Sequence, residues 1–215
     1  MENLQIIYYI ILFNNLYLKF HLRSIEIIFM DVKEVIHTRR SFRSLAPVEI
    51  TEQLINDLAE CASLAPSCKN SQPWRFIFVF EKNQLQKLYT TLRAPNDKWV
   101  VNASMIIVVF SNVKYDCIIN ERLYYLFDTG LATAFIMLRA TELGLVAHPI
   151  AGFEEMLVKK ILEIPYDMRV ITFLIIGKKS SKIDNNLTDL MKATESNTPP
   201  RKKFKEFAYI NKYNP

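Results

Sequence analysis

Ala65-Pro66-Ser67-Cys68-Lys69-Asn70-Ser71-Gln72-Pro73-Trp74 is the stretch on which the reading of this chain turns. Two prolines bracket a run of small polar side chains, and the apolar residues 76–80 follow at once. That second run is aromatic and β-branched and reads as a buried strand. The prolines restrict the backbone, so the amides and hydroxyls of Ser67, Asn70 and Gln72 are held in fixed directions. Asn and Gln side chains each present a donor beside an acceptor. An imide edge with alternating C=O and N–H asks for that pattern, although an ordinary rigid connection reads the same way.

Upstream, Asp31 is placed to cap a short helix over Val32–Thr38, and Thr51 to cap the next. In that second helix Leu54, Ile55, Leu58, Ala59 and Ala62 share one face, and Pro66 ends it. Downstream, residues 82–92 read as a helix with Leu85 and Leu88 turned inward, and residues 105–110 as a central strand. Residues 120–143 form the longest helical stretch, apolar nearly all round from Phe127 onward, so other protein must surround it. Gly130, Ala132 and Ala134 would let a helix or subunit approach closely, and Gly144 stands where a left-handed cap belongs. Residues 146–150 and 170–176 read as two further strands, with a helix near 154–162 between them. Residues 184–200 are polar and turn-rich. Phe204, Phe207, Tyr209 and Ile210 then need something to pack against. Helices and strands mix without strict alternation, which favours α+β over a doubly wound α/β fold.

Length and composition narrow the function. The 215 residues, half of them hydrophobic, suit one globular domain over residues 30–215. All four glycines lie between Gly130 and Gly177, and neither a Rossmann GxGxxG turn nor a P-loop occurs. Lys and Arg number 27 against 22 Asp and Glu. The excess gathers at Arg39, Arg40 and Arg43 and again at Arg201, Lys202, Lys203 and Lys205, but no nucleic-acid motif accompanies it. The three cysteines, Cys61, Cys68 and Cys117, make no CxxC pair and no metal spacing. They are expected as small buried hydrophobes in a protein of the reducing cytoplasm. His21, His37 and His148 are too scattered for a metal site. Residues 1–29 stand apart, with the apolar run 6–13 broken by Asn14 and Asn15. They lack the order of charges of a signal peptide and the length of a membrane span. They read as a peripheral arm or, preferably, as sequence upstream of a true start at Met30.

Other stretches carry chemistry. Thr38-Arg39-Arg40-Ser41-Phe42-Arg43 follows a helix, and arginine forks with a serine hydroxyl suit a phosphate. Asp128-Thr129-Gly130-Leu131-Ala132 lies in the long helix, which ends in Leu143-Gly144-Leu145. His148-Pro149-Ile150-Ala151-Gly152-Phe153 and Pro200-Arg201-Lys202-Lys203-Phe204-Lys205-Glu206-Phe207 complete the set.

Taken in order, a helix leading to R-R-S-x-R, P-S-x-x-N-x-Q-P-W before a strand, D-x-G-x-A, P-I-x-G-F and a basic C-terminal segment resemble the FMN-dependent nitroreductases. The likeness covers roughly residues 30–213. It implies a nitroreductase-like α+β fold, a central mixed or antiparallel sheet flanked by helices, in a domain-exchanged homodimer with FMN at the interface. It implies that Arg39, Arg40 and Ser41, joined by Arg201, contact the FMN phosphate and ribityl chain. Arg43 would lie near N1 and the C2 carbonyl of the ring and support negative charge there. Pro66, Ser67, Asn70 and Gln72, from the other subunit, would border the ring edge. Ala151 and Gly152 would offer N–H groups near N5 and O4, with Gly152 letting the backbone come close. Ala151 departs from the family's usual Glu or Gly, a change that a backbone donor tolerates. Lys203 stands where proline is common, which leaves the phosphate ligand among Arg201, Lys202 and Lys203 open.

The implied reaction is hydride transfer from NAD(P)H to the flavin and on to a small electron acceptor, such as a nitroaromatic or quinone, with no protein general base. Residues 93–99 and 112–125 are expected to wall the acceptor pocket. No nucleic-acid partner and no stable membrane insertion are expected. The same motifs also fit other flavin chemistry, such as reductive dehalogenation or flavin breakdown, or an FMN-binding protein without turnover. An anchor in residues 1–29 is a third alternative.

Overall fold

In the computed structural model, which describes residues 31–214, the apolar runs become the strands of one sheet. These are β1 (Leu45–Ala46), β2 (Arg75–Val79), β3 (Met105–Ser111), β4 (Leu145–Ile150) and β5 (Arg169–Lys179). β5 is central and pairs with β3, β4 and β1, while β3 also pairs with β2. Every one of these pairings is antiparallel, so the sheet expected as mixed or antiparallel is the latter. The expectations about residues 1–29 lie outside the described residues. From Val35 on, the chain forms one compact unit.

The sheet is covered on both faces, which explains why β3 and β5 show no polar alternation. Met105, Ile107 and Val109 pack with Leu58, Ala62, Ala132, Ile136 and Ala140. Ile106 and Val108, with the opposite pleat, pack with Leu85, Leu88 and Val158. The helices follow from this division. α1 (Val32–Thr38) precedes the sheet. α2 (Glu52–Ser63) and α4 (Tyr124–Glu142) cover one face, and α3 (Lys82–Tyr89) and α5 (Glu155–Leu162) the other. A half-buried fork locks α2 to α4: Arg139 donates to both carboxylate oxygens of Asp57 at 2.7–3.0 Å and to Glu142 at 2.6 Å.

The expected caps form. Asp31 Oδ1 accepts from Glu34 N at 2.8 Å, and Thr51 Oγ1 from Leu54 N at 3.1 Å. Gly144 adopts φ 71° and donates to Thr141 O.

Three expectations need correction. The long helix starts at Tyr124 rather than Asn120, because Asn120 and Glu121 take φ 51° and 62° in the turn of a small hairpin bridged at Ile119 and Arg122. The polar stretch 184–200 is not all turns: Leu187 is buried and α6 (Asp189–Ser196) forms, capped by Thr188. Its polar residues bond to the chain's own backbone far away in sequence, a signal that periodicity cannot register. Cys68 and Cys117 are disulfide-bonded instead of being separate buried thiols. Folding brings together two loops 49 residues apart, which spacing alone did not suggest.

Among the described residues α4 is covered on one face alone. Ala132 and Ile136 are fully buried, whereas Phe127 is 61% exposed and Phe135 36%.

Ile107, fully buried in the α2–α4 layer, tests the packing. Ile107→Ala should destabilise the protein by about 2–5 kcal/mol, read as a lower midpoint in urea at unchanged slope. A loss within 0.5 kcal/mol would show that this layer is not tightly packed.

Candidate functional site

The Arg39–Arg43 stretch is held by the end of α6. Glu195, nearly buried, accepts from Arg43 N at 2.9 Å and from Ser44 N at 3.0 Å, one carboxylate oxygen to each. Arg40 donates to the carbonyls of Thr194 (2.7 Å) and Asn197 (2.8 Å) and to Thr198 Oγ1 (3.1 Å). It therefore caps the negative end of α6. Expected at the phosphate, Arg40 instead spends both terminal nitrogens on the frame of the site. Arg43 places Nη1 3.2 Å from Thr194 Oγ1, while its Nε is buried without a hydrogen-bond partner.

Arg39 differs from both neighbours. It is half-buried, with Nη1 3.4 Å from Ser41 Oγ, and no carboxylate among the described residues pairs with it. Burial pushes its guanidinium below the ordinary value, and the charges of Arg201 and then Arg40 push the same way. Cations gathered without an acid are a site for an anion. Arg201, from the tail of the same chain, is thus near enough for its charge to act on Arg39.

Beneath Arg43 lies a platform. Trp99 is fully buried, stacked on His148 with ring centroids 4.7 Å apart, and the Arg43 guanidinium stands 6.0 Å from the Trp99 ring. His148 Nδ1 is 3.1 Å from Phe42 O, so that nitrogen carries the proton. Burial drives the His148 pKa down to about 4; the Phe42 carbonyl opposes this, and the Arg43 charge adds to it. Trp99 Nε1 donates to Asn96 Oδ1 at 3.3 Å, and Asn96 Nδ2 fills the space beside Gly152, 2.6 Å from where a Cβ would stand. The absent side chain at Gly152 therefore makes room for Asn96. Trp99, expected among the pocket walls, is part of the core because its ring is sandwiched in this way. Ala151 is exposed and Gly152 half-buried, and their carbonyls accept from Phe153 N and Arg93 N.

The loop over residues 65–74 forms a separate cluster. Lys69, Asn70 and Gln72 all take positive φ (51°, 58°, 46°), an uncommon run for residues other than glycine. Ser67 Oγ accepts from Gln72 N at 3.0 Å, and Gln72 Nε2 donates to Asn70 Oδ1 at 3.1 Å. The buried Asp128 of α4 accepts from Cys68 N at 2.9 Å, and this accounts for an acid in an otherwise apolar helix. Pro66, Asn70 and Gln72 are exposed.

The two clusters do not meet within one chain. Arg75, at the end of the loop, pairs with Phe110, and Phe110 with Val170; Ala46, just after the arginines, pairs with Lys178. Eight residues of β5 separate Val170 from Lys178, roughly 26 Å at 3.3 Å per residue. A cavity of about 270 Å³ opens between Arg122, Leu123, Tyr124 and Phe127, the first three of which lie in the expected acceptor wall. A larger depression of about 480 Å³, lined in part by Pro47, Phe80 and Asn102, contains none of the motif residues.

A family model described as the nitroreductase family matches residues 36–98 and 89–178. A protein of Methanothermobacter thermautotrophicus, provisionally named NADH dehydrogenase/NAD(P)H nitroreductase, is 33% identical over 118 residues, 55% of this chain and 59% of that one. The match thus spans less than two thirds of that relative. A protein of the same provisional name from Archaeoglobus fulgidus is 29% identical over 160 residues, 70% of this chain and 87% of that one. A provisionally assigned nitroreductase of Exiguobacterium sibiricum, solved in complex with FMN, superposes with a TM-score of 0.63 at 25% identity, covering 73% of this chain and 95% of that one.

Two substitutions probe the frame. Glu195→Ala strands two backbone donors and should cost about 2–4 kcal/mol, read from the denaturant midpoint. Between pH 6.5 and 4 the unfolded chain binds a proton at the His148 ring that the folded chain refuses. Stability from this ring is therefore full above pH 6.5 and falls by about 3 kcal/mol on acidification to pH 4. His148→Gln should flatten that part of the stability profile, and an unchanged profile would refute the assignment.

Proposed function

The chain belongs to the nitroreductase family, and from that premise we propose that it is an oxidoreductase holding FMN between two copies of itself. Hydride passes from NAD(P)H to a small acceptor such as a nitroaromatic or quinone. The observation that carries this reading is the cationic cluster at Arg39: the charges of Arg201 and Arg40 act on its guanidinium, Ser41 stands beside it, and no acid among the described residues pairs with it. A cofactor phosphate supplies the missing charge, held by Arg39, Ser41 and Arg201.

Arg40 keeps this cluster in place through α6 and does not bind the phosphate itself. Arg43, with a buried Nε lacking a partner, is left a donor to give to the flavin ring near N1 and the C2 carbonyl. The Trp99–His148 stack sets the height of Arg43, and the neutral imidazole adds no second positive charge there. Ala151 and Gly152 turn N–H groups toward N5 and O4. When bound, FMN accepts and donates hydride at N5, and this chain has only to orient and exclude water.

Pro66, Ser67, Asn70 and Gln72 border the ring from the second copy, since in their own chain they sit at the far end of the sheet from Arg39–Arg43. The exposed apolar side chains of α4 and the tail support such a dimer. Phe127 and Phe135 line one side of α4, and Phe204, Phe207 and Ile210 stand out from the last segment. The reading places the protein in the cytoplasm, where NAD(P)H is available. Among the described residues no helix is long and apolar enough to cross a membrane.

Purified protein should be yellow and show flavin absorbance, and a colourless preparation that takes up no FMN on titration would overturn the proposal. Arg39→Ala should weaken FMN binding about 10–100-fold, the loss of a charge-assisted contact. Arg43→Ala should move the flavin potential downward with a smaller effect on affinity, read by dye-coupled reductive titration. Equal effects of both variants on affinity alone would remove Arg43 from the ring.

A further inference from the structure

Residues 116–123 form a small flap in front of α4. It is folded on itself by the Ile119–Arg122 bridge, with Asn120 and Glu121 in the left-handed region, and it exposes Ile118, Ile119 and Leu123. Its root is pinned to the flavin-edge loop by Ser111 Oγ, which donates to Pro73 O at 2.7 Å, and by Arg75 lying over the Tyr115 ring. Beyond the root, the Cys117–Cys68 bond joins the flap to that same loop.

The closed arrangement carries a penalty. Both carboxylate oxygens of Asp116, the neighbour of Cys117, are cut off from solvent without a hydrogen-bond partner among the described residues. A carboxylate so placed favours any state in which water reaches it. The covalent bond opposes that tendency. The flap is thus held in place partly by one covalent bond acting against a local cost.

We propose that Cys68 and Cys117 form a redox latch. Oxidised, the pair holds the flap down on the flavin-edge loop and narrows the acceptor cavity lined by Arg122, Leu123, Tyr124 and Phe127. Reduced, it releases the flap and admits bulkier acceptors. The exchange partner is a small cellular thiol and its disulfide. A thiolate attacks Sγ of Cys68, which is half-buried, whereas Cys117 is only 6% exposed. The S–S bond breaks, Cys117 leaves as thiolate and takes a proton, and a mixed disulfide remains on Cys68. A second thiol displaces Cys68, so two small thiols become one disulfide while the protein gains two thiol hydrogens. Closure is the reverse.

The acceptor part of the proposal rests on the flavin reading; the latch itself does not. Full-length protein is equilibrated with reduced or oxidised glutathione, denatured, and its thiols are counted. With three cysteines in all, the reduced form should react at three and the oxidised form at one, Cys61. Native samples are then cut with trypsin, and cleavage after Arg122 in the flap is timed. It should be about tenfold faster in the reduced form, because opening sets the rate. Cys117→Ser should cleave at the fast rate in either buffer, and Cys68→Ser likewise if replacing the buried Cys117 disturbs folding. Three thiols in both buffers, or equal cleavage rates, would overturn the latch even in a protein that binds no flavin. In the FMN-loaded protein, the kcat/KM ratio of a tricyclic to a monocyclic quinone should rise several-fold on reduction and stay high in Cys117→Ser. An unchanged ratio beside a changed cleavage rate would overturn the gating of acceptors.

Discussion

The architecture depends on burying both faces of β3 and β5. A strand with Met105, Ile107 and Val109 on one side and Ile106 and Val108 on the other has no face to give to water. Helices must therefore cover the sheet twice, and a slip of one residue in the register would exchange the two cores. With the register so fixed, the ends of the sheet are fixed too. Antiparallel pairing puts the start of β2 beside the end of β3, which brings residues 65–74 next to residues 112–123. The same pairing sends β1, and the arginines before it, to the opposite end of β5. The separation of the two ligand clusters thus follows from the packing that makes the core. A second copy of the chain is the simplest way for both clusters to act on one molecule.

Within the arginine cluster, similar side chains have dissimilar tasks because their surroundings differ. Arg40 meets carbonyls at a helix end, Arg43 meets a buried aromatic stack, and Arg39, among the described residues, meets a serine and the charges of other arginines with no acid pairing. A guanidinium stays charged in all three settings. What changes is whether its charge is already answered. Glu195 belongs to the same logic: its carboxylate is consumed by two backbone N–H groups, so it organises Arg43 and Ser44 without neutralising Arg39. An acid beside Arg39 would answer its charge and remove the reason to expect an anion there.

Elements whose cause is local could be read from the chain alone. The Thr51 and Asp31 caps, the Gly144 turn, the one-sided face of α2 and the unbroken strands each depend on neighbours in sequence. The family was legible for a related reason, since short fixed spacings in five stretches carry its pattern. The failures share the opposite property. Glu195 lies about 150 positions from the backbone it holds, Cys117 lies 49 from Cys68, and Trp99 looks like a wall residue until His148 and Arg43 close over it. At Gly152, expected to let the backbone approach a ligand, the room left by the missing side chain is taken up by Asn96, 56 positions earlier. Periodicity and spacing contain no information about such encounters.

The two ligand clusters also differ in how firmly they are held, and this bears on how one scaffold can keep a cofactor and vary an acceptor. The arginine side is fastened by buried groups: a nearly buried carboxylate, a fully buried tryptophan and a neutral histidine. The loop over residues 65–74 is fastened to α4 by Asp128, and Lys69, Asn70 and Gln72 within it hold a left-handed backbone beside the Gln72–Ser67 and Gln72–Asn70 hydrogen bonds. The flap beyond it has a hairpin bridge, a stacked tyrosine at its root and one covalent link. Firmness thus declines from the arginine cluster toward the flap. In the proposed site, such a gradation would let the outer edge move with little loss of cofactor affinity, so the edge is where the proposed latch would act.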